Sequence, residues 1–426
     1  MSITHLGRRA TLLLNTCLII LMSVAFGNGP AHSDNADADK STPTLPGNYR
    51  IIGSGAVIEF PFDVYRGDIR FECEVNGHKV RMLLDDGCMW DQLLFWGSPL
   101  IDSLGLEYDG DTSIGGPSDA DAIPSRTASN ITVILPGVEF TDQTAVITSY
   151  SSGTSSMWQG SVGQVSATFF KHFVVDINFD SMLITLTEPG KFIYQGRGTE
   201  IPWKPMGFGP WSIPGSIVLS DGRSISMEFL MDLGYNRQLQ LVTYSEHDIT
   251  VPEPALPASL GFNIQRVETR GHVGRLASVN IGGHEIKDVL AEFVAKEHAN
   301  HTFHEAMIGL GLLSRFNLVF DYYKQRLLVE PNGNFDEPFE YNMSGLVLGP
   351  GNGDYLEVRE VYAGSPASEA GLKAGDRIFK VNDRQATSYD LYELRALWLE
   401  EGATIRLVVS SDGSEHEVSL TLRRVI

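Results

Sequence analysis

Leu84-Asp85-Asp86-Gly87 is the stretch of sequence that decides the fold, because it occurs a second time as Met231-Asp232-Leu233-Gly234. An apolar-glycine step, Val162-Gly163, likewise recurs as Ile308-Gly309. From the first aspartate to the glycine of the step is 78 residues in the first copy and 77 in the second. A repeat that keeps its order and spacing indicates two homologous lobes in one chain.

Four more landmarks recur in the same order, and they place the lobes at 49–196 and 197–336. The pairs are Val133–Asp142 with Val279–Asp288, Phe170–Phe173 with Leu313–Phe316, Asn178-Phe179 with Asp321-Tyr322, and Glu188-Pro189 with Glu330-Pro331.

The lobes read as β-structure. Arg70–Val75 and Lys79–Leu84 alternate polar and apolar residues around Asn76-Gly77, which predicts a hairpin with a tight turn. Long helical periodicity is absent until the C-terminal region, so the fold class is mainly β.

The composition of the chain argues against nucleic-acid binding and gives no sign of a metal site. The chain has 426 residues and a formal net charge of −21. Nucleic-acid binding needs clustered lysine and arginine, so the charge argues against that partner. No cluster with metal-ligand spacing occurs, and we expect neither a metal nor a cofactor.

The N-terminus predicts export. Residues 1–27 combine a basic start, Arg8-Arg9, with an apolar run that ends in small residues, which is typical of a signal peptide. An uncleaved membrane anchor is the alternative. Residues 28–48 are polar and Pro-containing and read as a disordered leader. Cys73 and Cys88 either pair in an oxidising compartment or stay as two buried thiols.

The duplicated acidic loops suggest chemistry. Two related lobes would bring Asp85 and Asp232 together across a pseudo-twofold axis. Two adjacent carboxyls share a proton, so one can take a proton from water while the other donates one to a peptide carbonyl. This is general acid–base hydrolysis of an amide without a covalent intermediate.

On these motifs, residues 65 to 335 resemble the pepsin-like and retropepsin-like aspartic peptidases, in the bacterial branch with a fused PDZ domain. The resemblance implies a bilobal pair of β-barrels with Asp85 and Asp232 as catalytic residues. It implies active-site loops and flap tips at the following positions: Asp86, Gly87, Leu233 and Gly234 in the loops, and Gly115, Gly116, Gly271 and Gly274 at the flap tips.

Two departures leave two interpretations open. The family has Thr or Ser where this chain has Asp86 and Leu233, and its hydroxyl locks the two loops together. An ionised Asp86 side chain accepts hydrogen bonds but cannot donate them, and the Leu233 side chain does neither. The chain is therefore an active endopeptidase or an inactive, peptide-binding relative.

Residues 340–426 resemble a bacterial PDZ domain, a small α+β barrel. The Ser365–Leu372 segment and Gly375–Ile378 carry the resemblance. It implies that peptides, above all protein C-termini, bind the carboxylate loop, the edge strand and the facing helix. The residues concerned are Gly345, Leu346, Val347, Leu348, Leu391 and Arg395.

Together these features predict an exported protein, periplasmic in a Gram-negative host, that hydrolyses peptide bonds with a water activated by paired aspartates. Its partners would be peptides or unfolded protein segments, and no membrane beyond an uncleaved N-terminal anchor. The alternative acts on the same partners by binding alone, through its cleft and its PDZ domain.

Overall fold

The structure of the protein is a computed structural model. It describes residues 48–52, 57–86, 92–97, 99–114, 123–148, 160–205, 211–244, 246–262, 268–295, 304–389, 391–411 and 413–426. The predicted signal peptide, all but the last residue of the predicted leader, and Cys88 lie outside these ranges. No helix in the described ranges is long and apolar enough to cross a membrane.

The described residues of the first lobe form eleven strands and one short helix. In chain order they are β1 (Asn48–Ile51), β2 (Val57–Tyr65), β3 (Asp68–Val75), β4 (His78–Asp85), β5 (Leu93–Trp96), α1 (Pro99–Asp102), β6 (Glu107–Ile114), β7 (Ile123–Leu135), β8 (Val138–Thr148), β9 (Ser161–Ser166), β10 (Val174–Asn178) and β11 (Leu183–Thr187).

Six of these strands close into a barrel in the order β3-β4-β9-β5-β8-β7, because β3 also pairs with β7. The predicted hairpin is confirmed as β3 and β4, which pair antiparallel. Asn76 and Gly77 in its turn both have positive φ, as a tight hairpin turn requires. Alternate residues of β3 and β4 point inward, which puts the Cys73 thiol in the barrel core.

In the second lobe, the residues that the structure describes form another eleven strands and one short helix. They are β12 (Thr199–Pro202), β13 (Lys204–Pro205), β14 (Trp211–Val218), β15 (Ser224–Asp232), β16 (Leu239–Thr243), β17 (Ala255–Phe262), β18 (Glu268–Ile281), β19 (His284–Ala295), β20 (Ala306–Gly309), α2 (Leu310–Leu313), β21 (Phe316–Asp321) and β22 (Arg326–Pro331).

Strand pairing in the second lobe repeats that of the first. The barrel order is β14-β15-β20-β16-β19-β18, closed by β14 on β18. In both barrels the strand that ends in aspartate runs parallel to the strand with the apolar-glycine step, β4 beside β9 and β15 beside β20. The chain therefore folds into two six-stranded barrels of the same design.

One sheet joins the barrels. Strands β2, β11 and β10 of the first lobe continue into β21, β22 and β12 of the second, and β10 pairs antiparallel with β21 at the centre. Each lobe contributes three strands, so the join is itself nearly twofold symmetric. The join connects the two barrels, and the loops after β4 and β15 meet, because a Cβ atom at Gly234 would lie 2.5 Å from the Asp85 carboxyl.

The C-terminal unit has its own apolar core, separate from that of the barrels. Its elements are β23 (Leu346–Pro350), β24 (Leu356–Val361), α3 (Pro366–Glu369), β25 (Arg377–Val381), β26 (Arg384–Gln385), α4 (Leu391–Leu397), β27 (Thr404–Ser411) and β28 (Ser414–Thr421). Single 3₁₀ turns at Ala167–Phe170, Pro189–Lys191 and Ala386–Ser388 complete the secondary structure of the described residues.

The C-terminal unit packs against the second lobe. Val347, Val425 and Ile426 contact the core of the barrels rather than that of their own unit. Arg424 adds ion pairs to Asp288 of the second lobe and to Glu340, which precedes β23. The unit is thus held to the barrels by both apolar and ionic contacts.

Candidate functional site

The two aspartates of the repeat lie at equivalent ends of equivalent strands. Asp85 is the last residue of β4 and Asp232 the last residue of β15. Both strands are buried at this end, and the two aspartates are 7% and 4% exposed. The apolar residues before each aspartate pack in the barrel core. Each aspartate is the last residue of its strand, so its carboxyl lies at the end of the barrel.

Asp85 reaches across to the loop that follows Asp232. A Cβ atom added to Gly234 would lie 2.5 Å from both Cγ and Oδ1 of Asp85. The Gly234 N–H donates to Asp232 Oδ1 at 2.8 Å. Gly234 therefore touches both carboxyls, and only a residue without a side chain fits between them.

Asp86 accepts a hydrogen bond between the loops, from a donor that the sequence did not suggest. Its Oδ1 accepts from the backbone N–H of Leu233. The sequence argument considered side chains only, and the Leu233 side chain is indeed buried in the apolar core. The main chain of Leu233 instead provides the donor, so the first loop is bonded to the second without a hydroxyl.

Asp86 and Asp232, which lie beside Asp85, hold their protons at unusually high pH. Burial raises the pKa of Asp86 to about 7; the Leu233 N–H opposes this shift and the charge of Asp85 adds to it. Burial, and then the charges of Asp85 and Asp86, raise the pKa of Asp232 well above its ordinary range. Close carboxyls in a dry site avoid ionising together, so the cluster can contain an acid and a base at the same pH.

A fourth carboxyl, that of Asp68, lies close enough to Asp85 for the two charges to interact. Asp68 begins β3, and burial followed by the charge of Asp85 raises its pKa to about 7. The β2–β3 turn beside it reaches the second lobe, where Asn236 Nδ2 donates to the Arg66 carbonyl at 3.2 Å. Asp68 was missed from sequence because it has no counterpart in the repeat.

Gln164 was also missed. It is 1% exposed, and its Nε2 donates to Asp85 Oδ2 at 2.6 Å. Its signal in the sequence was its position, directly after the Val162-Gly163 step that runs beside β4. The equivalent residue after Ile308-Gly309 is Leu310, so the two aspartates have different supports.

Tyr235 is accommodated although it is bulky. It is 1% exposed, and its hydroxyl donates to Glu292 Oε2 at 2.6 Å. Glu292 lies in β19 and forms an ion pair with Arg237. An acidic residue within the apolar run Val289–Val294 was the signal for this buried partner. The bond from Tyr235 to Glu292 fixes the loop that carries Gly234.

Gly271 and Gly274 do not lie at a flap tip. Both are inside β18, which pairs with β17 on one side and β19 on the other. Each is a glycine for a different reason: a Cβ at Gly271 would lie 2.3 Å from the Phe293 carbonyl oxygen, and one at Gly274 would lie 2.6 Å from Pro252. Close packing, not a turn, requires them, and the flap-tip assignment is wrong for this lobe.

Three other predicted positions, Gly87, Gly115 and Gly116, lie outside the described residues. Cys73 has a free thiol, and burial raises its pKa to about 12. In the described part of the chain, no three His, Cys, Asp or Glu side chains are arranged to hold a metal ion.

The C-terminal unit offers a second surface. Its sheet has the order β23-β24-β25-β27-β28, with β23 at one end. Ser365 caps α3 by accepting from the Ser368 N–H, and Gly371 follows the helix with a positive φ.

Residues 357–410 match the PDZ domain family. The match covers β24 through most of β27, so the chain contains a PDZ domain and β23 is the edge strand beside it. No curated protein matches the chain.

The predicted peptide-binding residues of the PDZ domain do not all line one surface, because their side chains pack in different places. Leu346 is buried in the domain core, Val347 packs on the barrels, and Leu348 packs against the domain core while half-exposed. Arg395 of α4 is close enough to Tyr341 for its charge to help lower the tyrosine pKa that burial raises. The side chain of Leu391 lies outside the part of the chain that the structure describes.

Proposed function

We propose that the protein is an exported aspartic endopeptidase. The observation that carries the proposal is the contact of the Asp85 carboxyl with Gly234, beside an Asp232 whose pKa is raised by burial and by the charge of Asp85. Two carboxyls at matching strand ends, one able to stay protonated, are what hydrolysis by an acid–base pair needs.

In this mechanism a water molecule is the nucleophile. The ionised carboxyl takes a proton from the water as it attacks the peptide carbonyl, and the protonated carboxyl donates to the carbonyl oxygen. The proton then passes to the leaving amine, so no covalent intermediate and no cofactor are required. The pKa of Asp232 favours it as the protonated partner, and the Gln164 amide favours Asp85 as the ionised one.

The PDZ domain would recruit peptide segments of substrates or partners, since PDZ domains are peptide-binding modules. Export, to the periplasm of a Gram-negative host, remains part of the proposal on the strength of residues 1–27.

A non-catalytic peptide-binding protein is the second candidate. It is favoured by the buried Leu233 side chain and by the third carboxyl, Asp86, which raises the free energy of ionising the pair. It predicts peptide binding that survives loss of either aspartate and no turnover at any pH.

Casein hydrolysis between about pH 3 and pH 8 separates the two candidates. We expect the wild-type chain to cleave, and Asp85→Asn and Asp232→Asn each to lower the rate by at least about 100-fold. Pepstatin provides an independent inhibition arm, and Asp111→Asn, an exposed aspartate on β6, is the matched control. Equal cleavage by wild type and both active-site variants would disprove the mechanism, and a folded but inert wild type would favour the binding protein.

A further inference from the structure

Residues 234–237 form the Gly234 loop, which follows the second aspartate and touches the first lobe in two places. A Cβ atom added to Gly234 would lie 2.5 Å from the Asp85 carboxyl. Two residues later, Asn236 Nδ2 donates to the Arg66 carbonyl at 3.2 Å. The position of this loop therefore sets the surroundings of the Asp85 carboxyl.

Glu292 holds the Gly234 loop from inside the second barrel. The Tyr235 hydroxyl donates to Glu292 Oε2 at 2.6 Å, and Arg237 Nε lies 3.5 Å from Glu292 Oε1. The Gln240 side chain is also hydrogen-bonded to Glu292. Burial raises the pKa of Glu292 and the charge of Arg237 opposes that rise, so the buried carboxylate depends on the guanidinium for its stability.

Arg237 also lies close to two tyrosines of the C-terminal part of the chain. Tyr362 directly follows β24 within the matched PDZ residues, and Tyr341 precedes β23. The two tyrosine hydroxyls are hydrogen-bonded to each other. Burial raises the pKa of both tyrosines, and the charge of Arg237 opposes the rise in each. The guanidinium is therefore within electrostatic reach of Glu292 in the barrel and of both phenols.

Tyr362 belongs to the PDZ domain by its backbone and to the barrels by its side chain. Its N–H donates to the Gly345 carbonyl at 2.9 Å, next to the strand pair of β23 and β24. Its ring is 4% exposed and packs in the apolar core of the barrels, where Tyr341 also packs. The PDZ sheet thus fixes a side chain that lies inside the neighbouring lobe.

We propose that Tyr341 and Tyr362 are positioning residues for the paired aspartates. Through Arg237 and Glu292 they hold the Gly234 loop in place, so the docked PDZ domain completes the cleft in addition to recruiting peptides. A domain that only recruits would leave the loop unchanged when Tyr362 is altered. The expected effect on the rate rests on the proposed endopeptidase activity, whereas the effect on the loop does not.

Hydrogen exchange of residues 233–238 in the full-length chain tests the positioning role. Tyr362→Phe keeps the ring and removes the hydroxyl, and it should raise the exchange rate of these amides by about fivefold, the equivalent of one hydrogen bond. Tyr341→Phe removes the other hydroxyl of the pair and should do the same. Tyr389→Phe is the matched control, because its hydroxyl donates to the Val381 carbonyl within the PDZ domain, and it should leave the exchange of the loop unchanged.

A double variant tests whether the effect passes along these contacts. Tyr235→Phe removes the hydrogen bond to Glu292, so adding Tyr362→Phe in that background should change the exchange rate by less than about twofold. Independent effects of the two substitutions would multiply instead. Exchange of β3 and β4 in the first barrel is the internal reference and should not change.

Hydrolysis of a short peptide that is blocked at both ends gives a second readout. Its sequence is taken from a bond that the wild-type chain cleaves in casein. Tyr362→Phe should lower kcat by about fivefold and leave KM unchanged, because positioning acts on the chemical step. Recruitment alone would raise KM for casein and leave the blocked peptide unaffected.

Five results would overturn the inference. They are wild-type exchange of the loop in both single tyrosine variants, equal acceleration by Tyr389→Phe, multiplied effects in the double variant, faster exchange of β3 and β4 as well, and an unchanged kcat in an active Tyr362→Phe enzyme. A folded wild-type chain that cleaves nothing but shows the expected exchange pattern would disprove the peptidase activity and support the positioning of the loop.

Discussion

The two barrels share one pattern of strand pairing but differ at the ends that meet. At the first, Asp85 is followed by the acidic Asp86 and receives a hydrogen bond from Gln164. At the second, Asp232 is followed by Leu233, and the position of Gln164 is taken by Leu310. A barrel closes when the apolar pattern, the turns and the close-packed glycines are in place. The residues that follow Asp85 and Asp232 are not needed for closure, so they can differ between the two barrels.

Because of this difference, the two barrel ends contribute different groups to the carboxyl cluster. The first barrel supplies Asp85, Asp86, Asp68 and Gln164. The second supplies Asp232, Gly234 and the backbone donor of Leu233. In the proposed mechanism Asp85 of the first barrel is the ionised carboxyl, and Asp232 of the second is the protonated one. Three substitutions test this division.

Asp86→Asn should have the largest effect. The folded-state pKa of Asp86 is about 7 against an ordinary value of 3.8, so between these values the folded protein keeps a proton that the unfolded chain releases. The resulting stabilisation is complete below about pH 4 and is lost as the pH rises through 7, a change on the order of 4 kcal/mol. Asparagine resembles the protonated acid and does not titrate. The unfolding free energy of the variant should therefore not show this decrease between about pH 4 and pH 7.

The measurement is the free energy of unfolding in urea at about pH 4, 5.5 and 7 for both proteins. Asp111→Asn removes an exposed carboxylate and should leave the wild-type slope unchanged. Equal slopes for wild type and Asp86→Asn would mean that Asp86 is ionised in the folded protein, and the proposed asymmetry of the cluster would be lost.

Gly234→Ala should have an intermediate effect. Its methyl group would lie 2.5 Å from the Asp85 carboxyl, which must move or push the loop away. We expect the unfolding free energy to fall by about 2 kcal/mol and hydrolysis to fall by about 100-fold, because displacing a catalytic group by an ångström is enough for that.

Gly110→Ala is the matched control for that change. Gly110 lies in β6, and a Cβ there would meet no atom within 4 Å. The control should keep both stability and activity. An unchanged Gly234→Ala would show that the two loops are not in contact in solution.

What the sequence predicts well is local backbone pattern. The Asn76-Gly77 turn lies in the predicted hairpin, and the Ser365–Leu372 segment lies in the PDZ domain. Asp85 and Asp232 end equivalent strands, as the repeat predicts, while their catalytic role stays a prediction. Asp68 and Gln164 could not be assigned, because their importance arises only when strands distant in sequence are brought beside Asp85.

Two other errors have physical reasons. Gly271 and Gly274 were read as turn glycines, whereas neighbouring atoms leave no room for a side chain within β18. Leu233 was judged by its side chain, although its backbone N–H makes the contact to Asp86. A sequence displays side chains, and it does not show which backbone groups or empty spaces the fold will use.

Gln164→Leu should have the smallest effect and tests the asymmetry most directly. The change gives the first barrel the residue type that the second already has and removes the 2.6 Å hydrogen bond to Asp85 Oδ2. Leucine has a similar volume but leaves the buried Asp85 carboxyl without this donor, so the unfolding free energy should fall by about 1 kcal/mol. The value of kcat/KM should fall by about tenfold, the equivalent of one hydrogen bond to a charged group. Gln385→Leu, at an exposed position of β26, should leave kcat/KM unaltered. If Gln164→Leu also leaves it unaltered, the Asp85 carboxylate needs no support from its own barrel, and the different roles of the two aspartates must come from Asp86 and Asp68 alone.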